Sequence, residues 1–204
     1  MKSIKLLMCE ELFTEDDVQR YLFLLDQTFN EDNKIRNDSE AEINENTSIN
    51  ILKSVLIFSE IILRDDIQHP IVHMCFVWIK KIFTPIPPIS EDQISQKWLS
   101  FNESFRNKLK IAIFRGFMFP DPRIISVASL SLAALLNIEK QHMFDLIPRL
   151  FELVESPEYS DLAHAAGISA LAEICGPQSL GGHTQFQEVQ EIIGNIFMHV
   201  GGYF

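Results

Sequence analysis

Residues 146–175 read LIPRLFELVESPEYSDLAHAAGISALAEIC, and their punctuation decides how the chain folds. The Ser156-Pro157 pair separates two helical segments, because proline lacks a backbone donor and pushes the preceding residue out of the α region. The spacing predicts helices over 141–155 and 159–175. Ala165, Ala166, Gly167, Ala170 and Ala172 crowd the second segment with small side chains, which let neighbouring backbones approach closely. A plain four-helix bundle more often fills such positions with large aliphatic residues. Upstream, Ala128, Ala133 and Ala134 repeat the signature in a helix predicted over 123–137. Two helical pairs, 123–155 and 159–200, each occupy about 40 residues, a period of stacked helical hairpins.

The same periodicity runs through the rest of the chain. No alternating β-branched run is flanked by the Asn-Gly or Asp-Gly pairs that mark β-hairpins. A first helix is expected over 2–13. Thr14 then reads as an N-cap, with Glu15, Asp16 and Asp17 in a first turn whose dipole favours carboxylates. That helix runs to 29 with Val18, Tyr21, Leu22, Leu25 and Phe29 as its apolar face. Residues 31–48 are acidic and Asn-rich without one aromatic side chain, and are expected to be a disordered loop. Further helices are expected over 49–64 and from the Asp66-to-Pro70 turn to 83, where Pro85, Pro87 and Pro88 enforce a stop. One long helix is expected over 93–117, ending at Phe119-Pro120-Asp121-Pro122, and a last one over 186–200 after the glycine-rich stretch 176–182. The expected fold is all-α, an α-α superhelix of the HEAT/armadillo type with about four and a half helical-hairpin repeats. Residues 1–30 form the first repeat, 31–48 an insertion, and 49–204 repeats two to five, the fifth incomplete. The last helix, lacking a partner, is expected to expose Ile192, Ile193, Ile196 and Phe197 and to promote self-association.

Composition narrows the function. The chain has 204 residues, 28 acidic against 17 basic side chains, a net charge of −11 and 16 Phe. With mean hydropathy +0.07 it is too apolar to be disordered throughout, and its charge disfavours nucleic acid or an anionic membrane. A basic partner suits it better. Cys9, Cys75 and Cys175 have no CxxC spacing and read as buried thiols of a soluble, intracellular protein. The segment from Ile4 to Cys9 is cut off by Glu10 and Glu11 before it completes a signal sequence. His69 and His73 lie four apart near Cys75, without the Glu of HExxH or a third ligand, so no metal is expected. No Gly-Lys-Ser/Thr follows the glycines, and no GxSxG elbow or converging polar cluster points to an enzyme or a cofactor. Pro85 to Pro88 fits a PxxP pattern that a stop between repeats explains. Trp78 and Trp98 read as core.

Several strings, in order, resemble the amino-terminal HEAT repeats of the importin-β (karyopherin-β) family. Lys97-Trp98-Leu99 is similar to the element that opens the family's third repeat. Leu146, Ile147, Pro148 and Leu150 match its Leu-Ile-Pro-x-Leu, and Ile168, Ala170, Leu171, Ile174 and Cys175 match the helix that follows. Ile79-Lys80 resembles the end of its second repeat, with Lys81 where Asn is usual. The likeness spans residues 17–200, departs at the longer link 31–48, and stops within a fifth repeat where a complete receptor continues. It implies binding of the GTP-bound GTPase Ran on second-helix surfaces of the first repeats, and a part in protein import into the nucleus. It also implies importin-α, cargo and nucleoporins as partners of a longer chain, and residence in cytoplasm, nucleus and nuclear pore. Placed on polar second-helix positions, the implied Ran contacts are Asp17, Arg20, His73, Lys80, Lys81, Arg123, Ser126 and Asn137. A generic HEAT scaffold that ignores Ran is the other reading.

Overall fold

Thr14 starts the first described helix as its side chain requires. In the computed structural model, which describes residues 12–139 and 146–174, α1 (Glu15–Gln27) opens with a reciprocal capping box. Asp17 N donates to Thr14 Oγ1 at 3.3 Å while Thr14 N donates to Asp17 Oδ2 at 2.8 Å, so two amides with no helical acceptor are satisfied. Val18, Tyr21, Leu24 and Leu25 are buried. The apolar face is thus shifted from the expected one: Leu22 is only half-buried and Phe29, beyond the helix end, is exposed.

The largest departure is at 31–48. The expected disordered insertion is a helix, α2 (Asn33–Ile49), capped by Asp32, whose side chain accepts from Lys34 N at 2.7 Å. Arg36 Nη1 donates to the carbonyls of Asn30 and Glu31 at 2.7 and 3.1 Å, fixing the entry turn. Only Ser39 and Ile43 are buried along it. Composition misleads here because docking against α1 and the following helix supplies what the polar sequence lacks.

Asn50 both ends α2 and caps α3 (Ile51–Leu63), accepting from Lys53 N at 3.0 Å. Within α3, Ser54 to Ser59 are all buried, as are Ile61 and Ile62, so the helix is covered on every side. The helices packed around it are α1, α2, α4 (His69–Phe83) and α6 (Glu103–Gly116). Ser54 Oγ shares a 2.7 Å hydrogen bond with Tyr21 of α1, and Ser59 Oγ donates to Val55 O, so neither buried hydroxyl is stranded. Pro70 occupies the first turn of α4, where a missing N–H costs nothing, and the helix stops at Phe83 before Pro85.

The single helix expected over 93–117 is two: α5 (Glu91–Leu99), with a Ser90/Gln93 capping box, and α6. The break falls at 100–102, where Asn102 Oδ1 accepts from Ser104 N at 2.8 Å and starts a new helix instead of continuing the old one. Gly116, the last residue of α6, marks a close approach. A Cβ there would lie 2.6 Å from Phe76 and 2.7 Å from Ala128 of α7 (Pro122–Glu139). Ser131 Oγ of α7 reaches the Phe76 carbonyl of α4 at 3.0 Å. Among the described residues α7 alone is long and apolar enough to cross a membrane, and Ile124, Ala128, Leu132 and Leu135 account for that apolarity by packing inside.

Two compact units divide the chain, Met1–Ile138 and Glu139–Phe204. Within the second, α8 (Ile147–Glu155) and α9 (Asp161–Ile174) form the hairpin that Ser156-Pro157 announces. His164 Nε2 lies 3.0 Å from the Ser156 carbonyl and braces its turn. Ile147, Leu150 and Leu153 turn one stripe of α8 inward. Gly167 meets it with no side chain, since a Cβ there would stand 2.8 Å from Val154 and 3.2 Å from Leu153. Of the other small residues Ala170 is buried, whereas Ala165 is exposed. The hairpin joins 147–155 to 161–174, while the second helix of the expected pair 159–200 lies outside the described residues. The expected elements at 2–11, 140–145, 176–182 and 186–200 lie outside the described residues.

Candidate interaction surface

The eight residues implied as contacts sit on α1, α4 and α7, and all belong to the first unit. Asp17 is committed to structure. Besides capping α1, it accepts from Lys53 Nζ of α3 at 2.7 Å. Burial disfavours its charged form, but the bonds from Lys53 and Thr14 outweigh that and hold its carboxyl below the ordinary value.

Arg20 and Lys81 come together on the unforeseen helix. Arg20 Nε donates to Glu42 Oε1 of α2 at 2.8 Å, and Lys81 Nζ donates to Asn44 Oδ1 at 2.7 Å. Glu42 and Asn44 flank the fully buried Ile43, so they leave α2 on opposite sides of its buried stripe and reach two different helices. The Lys81 ammonium also stands 4.3 Å from the centre of the Trp78 ring. Nothing in the spacing of 31–48 to the helices before and after it announces these partners. A weaker signal was available: Ile35, Ser39, Ile43 and Thr47 recur every four residues behind Asp32, a cap and a narrow helical stripe.

Arg123 is turned back on its own helix start, its guanidinium forking onto Asp121 at 3.1 and 2.8 Å. That fork, with the Arg123 N–H, holds the Asp121 carboxyl down to about 2. Ser126 and Asn137 are exposed on α7, while His73 and Lys80 are half-buried on α4. Of the eight, Arg20 and Lys81 are drawn onto α2, Asp17 onto Lys53 of α3 and Arg123 onto Asp121, while Ser126 and Asn137 face solvent.

The histidine pair does not converge with a third ligand. His69 Nδ1 lies 3.9 Å from Asp121 and its ring packs edge-on against Phe119, while Cys75 is fully buried with its thiol pKa pushed up by burial. No group of three or more His, Cys, Asp or Glu side chains assembles among the described residues. The arrangement offers hydrogen-bonding heads on packed helices.

Such packed, capped helical hairpins define an all-α solenoid of the HEAT type. Neither a protein-family model nor a curated protein sequence matches the chain. Solved structures do. The chain superposes on Kap95p in a structure in which Kap95p binding induces the switch loops of RanGDP to adopt the GTP-bound conformation. There the TM-score is 0.68 at 19% identity over 82% of this chain. It matches a structure of yeast importin-β (Kap95p) at TM-score 0.65 and 19% identity, and a Kap95:Nup1 complex at 0.64 and 20%, each over 78% of this chain. The fold is therefore importin-β-like, and the chain spans about a fifth of the length of those structures, 19–20%.

Proposed function

We propose that this chain is the amino-terminal part of an importin-β-like nuclear transport receptor, binding Ran-GTP on its first repeats and acting in protein import into the nucleus. The observation that carries this reading is the superposition on Kap95p over 78–82% of the chain. A net charge of −11 supports it, because an acidic receptor steers a basic partner to productive encounter while packed contacts fix the register. On this reading the chain holds about four and a half repeats, is a binding protein and no enzyme, and works in the cytoplasm, the nucleus and at the pore. Importin-α, cargo and nucleoporins would be met by the longer receptor. Neither a cofactor nor nucleic acid nor membrane insertion enters the mechanism.

A second reading has its own observation. Arg20 is already held by Glu42 of α2 and Asp17 by Lys53 of α3, which suits a HEAT scaffold that uses these side chains to join its own helices and not to meet Ran. A pull-down with purified Ran separates the two. Transport predicts retention of Ran loaded with a non-hydrolysable GTP analogue and much weaker retention of Ran-GDP. Binding that is absent, or indifferent to the nucleotide, leaves the scaffold.

A further inference from the structure

A cavity of about 460 Å³ opens in the first unit where α2, α4 and α5 meet. Most of its lining surface is apolar, with Trp78, Phe83, Trp98 and Phe101 among the aromatic and aliphatic residues that border it. Phe83 and Trp98 pack edge to face at 4.9 Å, as do Trp98 and Phe101 at 5.8 Å, so the aromatic wall is held in place by itself. At the mouth, Ile86 and Ile89 are 58% and 54% exposed. Two lining side chains carry stranded polar atoms: the Trp78 indole N–H and the Thr47 hydroxyl are buried with no hydrogen-bond partner, although Trp78 is only 4% exposed. A buried donor left without an acceptor is costly, so a ligand that supplies the acceptor gains from it.

The charge of the cavity runs against that of the molecule. No Asp or Glu is among the described residues that line it, whereas Lys81 and Lys97, on different helices, both do. In a chain of net charge −11 this is a local reversal. The volume is that of an ordinary ligand pocket, enough for one or two bulky side chains.

We propose that this cavity binds a short acidic peptide segment of a partner protein, seating a bulky apolar side chain between Trp78 and Trp98 with carboxylates against Lys81 and Lys97. A peptide fits the polar groups better than a fatty acid does. Its backbone offers an acceptor for the indole N–H and both an acceptor and a donor for the Thr47 hydroxyl, and its carboxylates can meet two separated ammonium groups. A fatty acid brings one head group. The Thr47 wall belongs to α2, so the site exists only because residues 33–49 fold. The proposal rests on the cavity alone and stands apart from the Ran reading.

The chain carries its own probe, since its two tryptophans, Trp78 and Trp98, both line the cavity. The full chain is titrated with the blocked hexapeptide Asp-Asp-Leu-Phe-Asp-Asp while intrinsic tryptophan fluorescence is followed. A saturable change is expected, weakened by added salt. The exposed-site variants Lys97→Glu and Ile89→Asp, checked for unchanged helicity, should each bind at least about tenfold more weakly. The same peptide with Lys in place of Asp should also lose at least about tenfold. No saturable change, equal affinity for the Lys-containing peptide, or unaltered binding by Lys97→Glu would each overturn the proposal. So would saturable binding of dodecanoate where the peptide gives none.

Discussion

Two helices joined through one residue, Asn50, show opposite ways of being helical. α3 buries eight of its 13 residues, so its stability comes from being surrounded. α2, four residues longer at 17, buries only Ser39 and Ile43. It is held by one buried apolar side chain, a cap, and polar side chains reaching Arg20 and Lys81. An isolated helix of about 15 residues is marginal in water even with good helix formers, and α2 is rich in poor ones. Its helicity is therefore a consequence of docking, whereas that of α3 is a cause of the fold.

The contrast breaks hardest at Phe58. This side chain is fully buried in α3 and packs edge to face on Tyr21 at 5.4 Å. Phe58→Ala should remove about 3–5 kcal/mol, seen as a large fall in the urea midpoint with helicity lost across the whole first unit. Ile43→Ala should cost about 2 kcal/mol, the lower end for such a truncation, because the site lies on a helix that can lift away. Its signature is local. Amide exchange should accelerate over residues 33–49 while residues 51–63 keep their protection. Equal acceleration in both segments would mean that α2 is as integral as α3 and that the contrast drawn here is wrong.

What could be read beforehand follows the same division. Local chemistry was legible: the Thr14 cap, the stop before Pro85, the Ser156-Pro157 hairpin and the close approach at Gly167 all depend on neighbours in sequence or on residue size. Long-range docking was not. α2 needed knowledge of Arg20 and Lys81, which lie 22 and 37 residues from the partners they hold. The break at 100–102 escapes the spacing because apolar periodicity resumes beyond it, and the Asn102 side chain that caps α6 shows itself only in the structure. The candidate surface was legible as positions on helices but not as an arrangement. Trp78 and Trp98 were legible as core, and they are buried, yet the cavity they line depends on α2.

Acid offers the mildest test, because it loosens the α1–α3 side of the structure without touching an apolar contact. Arg64, just beyond α3, forks onto Glu15 of α1 with its two terminal nitrogens at 2.9 and 2.6 Å. The Arg64 bond first, and Gln19 second, lower the Glu15 carboxyl from its ordinary 4.5 to about 2. A carboxyl that is more acidic in the folded chain than in the unfolded one binds protons preferentially when unfolded. Its contribution is complete above 4.5 and is lost as the pH falls toward 2. Asp17 and Asp121, both lowered, act in the same direction. The urea midpoint should thus decline from about pH 5 to about pH 2.5, and Glu15→Gln, with no proton to gain, should decline less over that window. Solvent screening keeps this difference small, as for any ion pair with an exposed partner. A Glu15→Gln chain whose midpoint falls as far as that of the parent would show that the fork does not couple α1 to α3.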